Sequence, residues 1–280
     1  MNTSIVRKYA WAPAAMRRTS VAIAVAAALS SMSVRPVGAN AQEVCTNASL
    51  LTTATGSSQI PSPCIVPAGN FLVEALYYQN ASKVGGTALA AYPLLGFDAG
   101  LGRRTDVVLD LPSQIAESGR NGAGVYRRSH ATYGLRYGFA QTERFALTAA
   151  IAVVPPASVY APSETQPKFR LDVNSAYRLT PKLAIKARSQ GATSHTAGVG
   201  RILPEQDLGA DIALGKLTVF SPDLGLRSVT AHAHPQSFAD LCVKHLLSRR
   251  IMFDAGIGTT FDQVDHAKAH YVAAGLSLRP

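Results

Sequence analysis

The chain has 280 residues, of which 47% are hydrophobic, and its formal net charge is +10. The length suits a single all-β domain, and a charge this high is common in proteins that bind nucleic acid. Residues 1–41 alone hold five basic residues and no acidic one, however, and without them the net charge falls to +5. No nucleic-acid partner is therefore expected.

The first 41 residues have the pattern of an export signal. A basic lead of Arg7, Lys8, Arg17 and Arg18 precedes the uncharged apolar run Thr19–Val34, and Ala39–Ala41 reads A-N-A. Basic lead, apolar run and small-x-small site together predict a cleaved signal peptide at residues 1–41. The run is short for a membrane-spanning helix, which needs about 20 apolar residues. The mature chain is thus expected to cross the inner membrane.

Residues 42–69 are rich in Ser, Thr, Pro and Asn and show no periodicity, which predicts an irregular N-terminal segment. In an oxidising compartment Cys45 and Cys64 could form a disulfide within it. The third cysteine, Cys242, is interpreted as a small buried apolar residue. No cysteine spacing here suggests a metal site.

From Asn70 to the C-terminus the sequence alternates between apolar and polar residues, which is the period of a β-strand. The alternation predicts twelve strands. They are Asn70–Gln79, Tyr92–Leu101, Thr105–Pro112, Ala131–Ala140, Phe145–Val154, Pro167–Arg178, Lys182–Gln190, Leu208–Val219, Leu224–His232, Ala239–Leu247, Arg250–Thr260 and Lys268–Leu278.

The connections between these strands alternate in length. Short ones are expected at residues 102–104, 141–144, 179–181, 221–223 and 248–249, and longer ones at about 80–91, 113–130, 155–166, 191–207, 233–238 and 261–267. This rhythm is typical of an up-and-down antiparallel transmembrane β-barrel, with short periplasmic turns and longer extracellular loops. We therefore expect residues 70–280 to form an all-β outer-membrane barrel of about twelve strands.

The two faces of the predicted strands differ in polarity. One face is almost entirely apolar, and the other carries charges separated by Gly and Ala. In a barrel the apolar face contacts lipid and the charged face lines the lumen. The predicted lumen-lining residues are Glu74, Asp98, Asp106, Asp110, Arg136, Arg170, Asp172, Arg178, Lys182, Lys186, Arg188, Asp211, Arg227 and Asp254. A soluble β-sandwich would instead expose the charged face to water.

Three stretches resemble proteobacterial outer-membrane barrels of the transporter-like, phenol-degradation family. They are YPLLGFDAGLGRRTDVVLDLP, YGLRYGFAQTERFALTAAIAVVPPAS and the closing IMFDAGIGTTF. The resemblance, over roughly residues 70–280, implies uptake of aromatic or other hydrophobic compounds. It also implies outer-membrane lipid and the barrel assembly machinery as partners. Such barrels usually end on an aromatic residue, whereas this chain ends Leu278-Arg279-Pro280.

These patterns predict an outer-membrane channel for small solutes, with anionic or aromatic solutes as candidates. Basic residues on the inner face could guide an anion, or they could pair with the acidic residues and fill the lumen. Two alternatives stay open, which are a barrel whose loops serve a structural, adhesive or receptor role, and a soluble secreted binding module. The oligomeric state is not predicted.

No enzymatic activity and no cofactor are expected. Ser129–His130 and Ser194–His195 are dipeptides in predicted loops, and neither lies in a catalytic motif. His232 and His234 share one side of a strand end, but spacing assigns no third ligand for a metal.

Overall fold

A computed structural model describes the chain at residues 45, 50–82, 88–112, 114–118, 124–128, 131–155, 167–196, 199–228, 235–262 and 268–280. These residues form a single-turn helix, α1 (Leu50–Thr53), and fourteen strands. The strands are β1 (Phe71–Ser82), β2 (Ala88–Gly100), β3 (Thr105–Leu111), β4 (Gln114–Ser118), β5 (Gly124–Arg128), β6 (Thr132–Gln141), β7 (Phe145–Val154), β8 (Lys168–Thr180), β9 (Leu183–Thr196), β10 (Val199–Ala213), β11 (Thr218–Ser228), β12 (Pro235–Ser248), β13 (Ile251–Asp262) and β14 (Lys268–Leu278). Within this part of the chain no helix is long and apolar enough to cross a bilayer.

The strands form one closed antiparallel sheet. From β6 to β14 each strand pairs with the next one along the chain, and β1 pairs with both β14 and β2. Closure gives every strand two neighbours except the short β5, which pairs with β4 alone, so no long edge is left with unpaired backbone groups in the described sheet. The predicted up-and-down antiparallel barrel is confirmed.

Fourteen segments make twelve barrel strands because two of the strands are interrupted. β3 and β4 lie end to end along β2 and together make one barrel strand. β6 pairs with β3 and β5 pairs with β4, so β6 and β5 together make the next barrel strand. The break between β3 and β4 falls at Pro112, where a strand lacks a hydrogen-bond donor. The expected number of about twelve strands is therefore correct.

Five short turns lie at one end of the barrel, hereafter the turn end, at residues 101–104, 142–144, 181–182, 214–217 and 249–250. The start of β1 and the end of β14 lie at this end too, since they pair with each other there. The opposite end, hereafter the loop end, receives the remaining connections, most of which lie outside the described residues. An even number of barrel strands brings both termini to one end, as expected.

Several predicted boundaries are wrong around β9 to β11. Residues 191–207 were expected to be a loop, but β9 and β10 pair almost to their ends and leave only residues 197–198 between them. Residues 221–223 were expected to be a turn, yet they lie inside β11. Gly, Ser and Pro in this region weaken the alternation that predicts a strand. Pairing with neighbouring strands nevertheless extends β9, β10 and β11 through these residues.

The outer face of the barrel is apolar. Large side chains stand exposed along it, among them Tyr133, Leu135, Ile151, Leu171 and Leu208. All five belong to the face that the sequence assigned to the outside. A band of this kind is the surface that membrane barrels present to lipid.

The described residues before β1 are irregular apart from α1, and β1 begins at Phe71. The predicted signal peptide at 1–41 lies outside the described residues, so its cleavage stays a prediction. The single closed sheet excludes the β-sandwich alternative, which would need two packed sheets.

Candidate functional site: a lumen closed by the N-terminal segment

Residues 50–68 run through the lumen of the barrel and are hereafter the plug. The Ser57 amide donates a hydrogen bond to Asp254 Oδ1 at 2.6 Å, and the Val66 amide donates to Asp106 Oδ2 at 2.9 Å. The two carboxylates belong to β13 and β3, which are separated by other strands in the closed sheet. A segment that contacts both must cross the interior.

Side chains of the wall also bind carbonyl groups of the plug. Lys244 Nζ donates to the Ala54 carbonyl at 2.8 Å, and Gln141 Nε2 donates to the Pro63 carbonyl at 2.9 Å. Irregular backbone that is buried needs partners for its polar groups. Here the charged and amide side chains of the lumen supply them.

Ser58 connects the plug to an ion-pair cluster on β9, β10 and β11. Its hydroxyl donates to Asp223 Oδ2 at 2.6 Å and lies 3.2 Å from Lys186 Nζ. Lys186 Nζ lies 2.9 Å from Asp211 Oδ1 and 3.4 Å from Asp223 Oδ1. The ammonium group is thus surrounded by three oxygen partners, and buried charges are tolerated when they are paired in this way.

A small apolar core fixes the plug near the turn end. Ala54 and Val66 of the plug pack with Leu72 of β1 and Met252 of β13, and all four are buried. Leu72 and Met252 each lie within two residues of the turn end of their strands. This cluster closes the interior at that end with apolar contact in addition to hydrogen bonds.

Glycines in the wall make room for the plug. A Cβ atom at Gly256 would lie 2.9 Å from Ser57 Oγ, and one at Gly209 would lie 2.9 Å from Ile60 Cδ1 and 2.0 Å from Asp223 Oδ1. A glycine inside a strand often marks close approach of another group. Gly209 and Gly256 on the inner face therefore leave space that the plug occupies, whereas others such as Gly258 make room for side chains of the wall.

The structure joins Cys45 and Cys64 in a disulfide, with their Cα atoms 5.3 Å apart. Cys64 lies in the plug and is buried. The bond closes a loop of the N-terminal segment, which reduces the freedom of the plug when it is outside the barrel. Cys242 is free and buried, and its Sγ lies 3.1 Å from Ser57 Oγ.

Arg136 of β6 joins carboxylates of β2 and β3 on the inner face. Its guanidinium group donates to Asp98 Oδ2 at 2.8 Å and to both Asp106 oxygens at 2.8 and 2.6 Å. Asp106 also accepts the Val66 amide, so it joins the ion pair to the plug. Arginine suits such a position because its fork of donors matches carboxylate geometry.

Arg188 organises a second network on β8, β9 and β10. It lies 2.9 Å from Asp172, 3.3 Å from Glu205 and 3.4 Å from Asp207, and Arg170 also pairs with Asp172 at 2.7 Å. One Arg188 nitrogen donates to the Gln59 carbonyl of the plug at 3.3 Å. This wall network therefore also holds the plug.

The structure places thirteen of the fourteen predicted lumen-lining residues on the inner face. They are Glu74, Asp98, Asp106, Asp110, Arg136, Arg170, Asp172, Arg178, Lys186, Arg188, Asp211, Arg227 and Asp254. Lys182 differs from these, because it lies exposed in the turn between β8 and β9 and only borders the smaller internal cavity. The strand was expected to begin at this residue, but it begins at Leu183.

Sequence reasoning missed five charged residues of the lumen, which are Glu205, Asp207, Asp223, Asp240 and Lys244. The first two were assigned to a loop and Asp223 to a turn, because those strand boundaries were wrong. Asp240 and Lys244 lie in a predicted strand at the same parity as the buried Cys242. Strict alternation along that strand would have identified them.

Two cavities flank the plug. One, of about 450 Å³, lies between the plug and the loop end, with Thr55, Gly56 and Pro61 of the plug in its lining. The other, of about 160 Å³, lies toward the turn end beside Arg178 and Lys182. The plug therefore separates two spaces that would otherwise be continuous along the barrel.

Solved structures with the same architecture are outer-membrane barrels. The translocator domain of the autotransporter NalP from Neisseria meningitidis superposes with a TM-score of 0.54 at 13% identity, over 76% of this chain and 89% of that one. The NanC porin superposes with a TM-score of 0.51 at 8% identity, over 73% of this chain and 98% of that one. At these identities the likeness shows the fold alone.

No protein-family model and no curated protein matches the sequence. The resemblance to the phenol-degradation family therefore stays a prediction, as do the solutes that it implied. The dipeptide Ser129–His130 and the pair His232 and His234 lie outside the described residues.

Proposed function

We propose that the protein is an outer-membrane channel that its own N-terminal segment closes. The observation that carries this proposal is the plug, which wall side chains hold by polar contacts between two cavities. Hydrogen bonds and ion pairs can be exchanged for water when the plug withdraws, whereas a continuous apolar core would keep the lumen filled. The exposed apolar band supports a location in the membrane.

The charge of the lumen favours cationic over anionic solutes. Among the residues whose side chains the structure describes, eleven acidic and seven basic side chains are placed on the inner face. The acidic ones are Glu74, Asp98, Asp106, Asp110, Asp172, Glu205, Asp207, Asp211, Asp223, Asp240 and Asp254, and the basic ones are Arg136, Arg170, Arg178, Lys186, Arg188, Arg227 and Lys244. The ion pairs of Arg136, Lys186 and Arg188 occupy carboxylates as well as basic groups, so the excess of acidic side chains remains. We therefore propose small cations in place of the anions that the basic residues first suggested.

The adhesive or receptor alternative depends on the connections at the loop end. Most of these lie outside the described residues, so no specific observation favours this role. A barrel that stays closed after its plug has been removed would support it.

Planar-bilayer recordings of three chains test the channel proposal. We expect the full chain to conduct little, and a chain that lacks residues 45–68 to show larger unitary conductance with cation-selective reversal potentials. The third chain is Ser57→Cys, designed to form a disulfide with Cys242, whose Sγ lies 3.1 Å from Ser57 Oγ. Oxidation should abolish the small conductance that the full chain retains.

The matched control for the locked chain is Ser57→Cys combined with Cys242→Ser, which cannot form the lock. It should conduct like the full chain under both redox conditions. Silent bilayers for the plug-deleted chain, with heat-modifiable gel migration showing that it folds, would overturn the channel proposal. Anion-selective currents would overturn the cation preference alone.

A further inference from the structure

Basic residues lie in every one of the five short turns at the turn end, all of which the structure describes. Together with the residue after β14 they form what is hereafter the basic ring. Its members are Arg103, Arg104, Arg144, Lys182, Lys216, Arg249, Arg250 and Arg279. Seven are exposed and Arg279 is half-buried, and one acidic residue, Glu143, lies in the same turns.

The connections at the loop end have no such excess of positive charge. In the sequence, residues 83–87, 119–123, 156–166, 229–234 and 263–267 together hold two basic and two acidic residues. The basic ring is therefore particular to one end of the barrel, and the overall composition does not explain it.

The backbone of the basic ring is fixed by the sheet. The Arg104 carbonyl accepts the Gly138 amide at 2.8 Å, and the Arg250 carbonyl accepts the Arg279 amide at 2.9 Å. The Lys182 carbonyl accepts a hydrogen bond from the Ala213 amide of β10 at 2.8 Å. The positive charges thus start from defined positions around the rim, although their side chains extend into solvent.

A collar of exposed leucines borders the basic ring. Leu101, Leu179, Leu214, Leu217 and Leu247 lie within three residues of its members, and each is more than half exposed. If this collar marks the edge of the hydrocarbon layer, the basic ring lies at the depth of the lipid phosphates. Long basic side chains commonly reach this layer from the end of an apolar surface.

We propose that the basic ring binds the phosphate groups of anionic phospholipids in the leaflet at the turn end. Six of its eight members are arginines, whose guanidinium groups bind phosphate oxygens in pairs. Among the described residues none of the salt bridges involves a member of the ring. Basic clusters beside a membrane-spanning segment attract anionic lipids. This inference rests on the proposed membrane location.

The test compares lipid retention by native mass spectrometry. The folded full chain in zwitterionic detergent receives equal amounts of dioleoyl phosphatidylglycerol and dioleoyl phosphatidylcholine. We expect retention of the anionic lipid to exceed that of the zwitterionic lipid by roughly threefold or more. The ring variant, Arg103→Gln with Lys216→Gln and Arg249→Gln, should lose this preference.

The matched control is Lys83→Gln with Arg120→Gln and Lys268→Gln, which removes the same charge in or beside the long connections. It should keep the preference of the full chain. A ring variant that keeps the preference, or a full chain that has none, would overturn the inference. Displacement of phosphatidylglycerol by an equal concentration of inorganic pyrophosphate would assign the ring to a soluble phosphate and overturn the lipid assignment.

Heat-modifiable gel migration separates this inference from the proposed function. A chain that does not migrate as a folded barrel in detergent contradicts the membrane location and, with it, the lipid site. A folded barrel without lipid preference contradicts the basic ring alone and leaves the channel proposal standing.

Discussion

The inner and outer faces of the same strands differ in both polarity and exposure. Ile151 on the outer face of β7 is 61% exposed, whereas Asp106 on the inner face of β3 is 0% exposed. In a protein surrounded by water the reverse assignment would be normal. Apolar side chains face outward where lipid can cover them, and most charges lie inside, where the wall and the plug supply partners for groups such as Asp106, Lys186 and Arg188.

We expect the largest loss of stability when a charge is removed from the inner face. Asp106→Asn leaves the buried Arg136 with one of its two carboxylate partners and weakens the acceptor of the Val66 amide. Loss of one member of a buried ion pair costs about 3–5 kcal/mol. Urea unfolding in detergent should show that the free energy of unfolding falls by an amount near the lower end of that range.

Glu143→Gln is the control for Asp106→Asn, because Glu143 is an exposed acidic residue of a turn. It should change the free energy of unfolding by less than about 0.5 kcal/mol. Equal stability of the two variants would mean that the charge of Asp106 is dispensable.

A charge on the outer face should destabilise the barrel somewhat less. Arginine on the lipid-facing side costs about 2–4 kcal/mol near the bilayer midplane, and Ile151→Arg places it on the exposed apolar band. Unfolding from phospholipid vesicles measures this loss. Ile151→Leu is the control and should behave like the unmodified chain, and an Ile151→Arg barrel of unchanged stability would contradict the lipid-facing assignment.

The smallest effect is expected where the plug meets the wall. A Cβ at Gly209 would lie 2.0 Å from Asp223 Oδ1 and 2.9 Å from Ile60 Cδ1, so Gly209→Ala must displace both this carboxylate and the Ile60 methyl group of the plug. Overpacking of this kind costs about 1–3 kcal/mol. A thermal scan should show the loss of stability. Planar-bilayer recordings should show a higher basal conductance.

The control for that substitution is Gly102→Ala, since no atom lies within 4 Å of a Cβ at Gly102. It should leave thermal stability and conductance unchanged. If the Gly209 and Gly102 variants behave alike, Asp223 and the plug residue Ile60 do not crowd Gly209 as described.

Much of the barrel was predictable because its signal is local. A strand of a membrane barrel alternates at a period of two, so Arg136, Asp172 and Lys186 could be assigned to the inner face one strand at a time. The prediction failed where alternation is weak. Pro222 inside β11 suggested a turn, and Gly191 suggested a loop, although pairing with neighbouring strands extends both elements.

The plug could not be predicted, because its partners are far away in the sequence. Ser57 binds a residue 197 positions later, and Ser58 binds one 165 positions later. Residues 50–68 have no periodicity of their own, and closing the sheet is what gathers the carboxylates around them. The sequence therefore left open whether the lumen was an open route or filled.

The alternation along the chain was enough to predict a closed antiparallel barrel, its approximate strand number and the face on which most charges lie. Those features follow from side-chain alternation and from the need to satisfy every backbone group within a membrane. Folding in three dimensions was needed to place the N-terminal segment in the lumen and to bind Arg136, Lys186 and Arg188 of the wall to carboxylates. Such contacts depend on which strands become neighbours when the barrel closes. They join residues far apart in the sequence, so no single stretch of the chain predicts them.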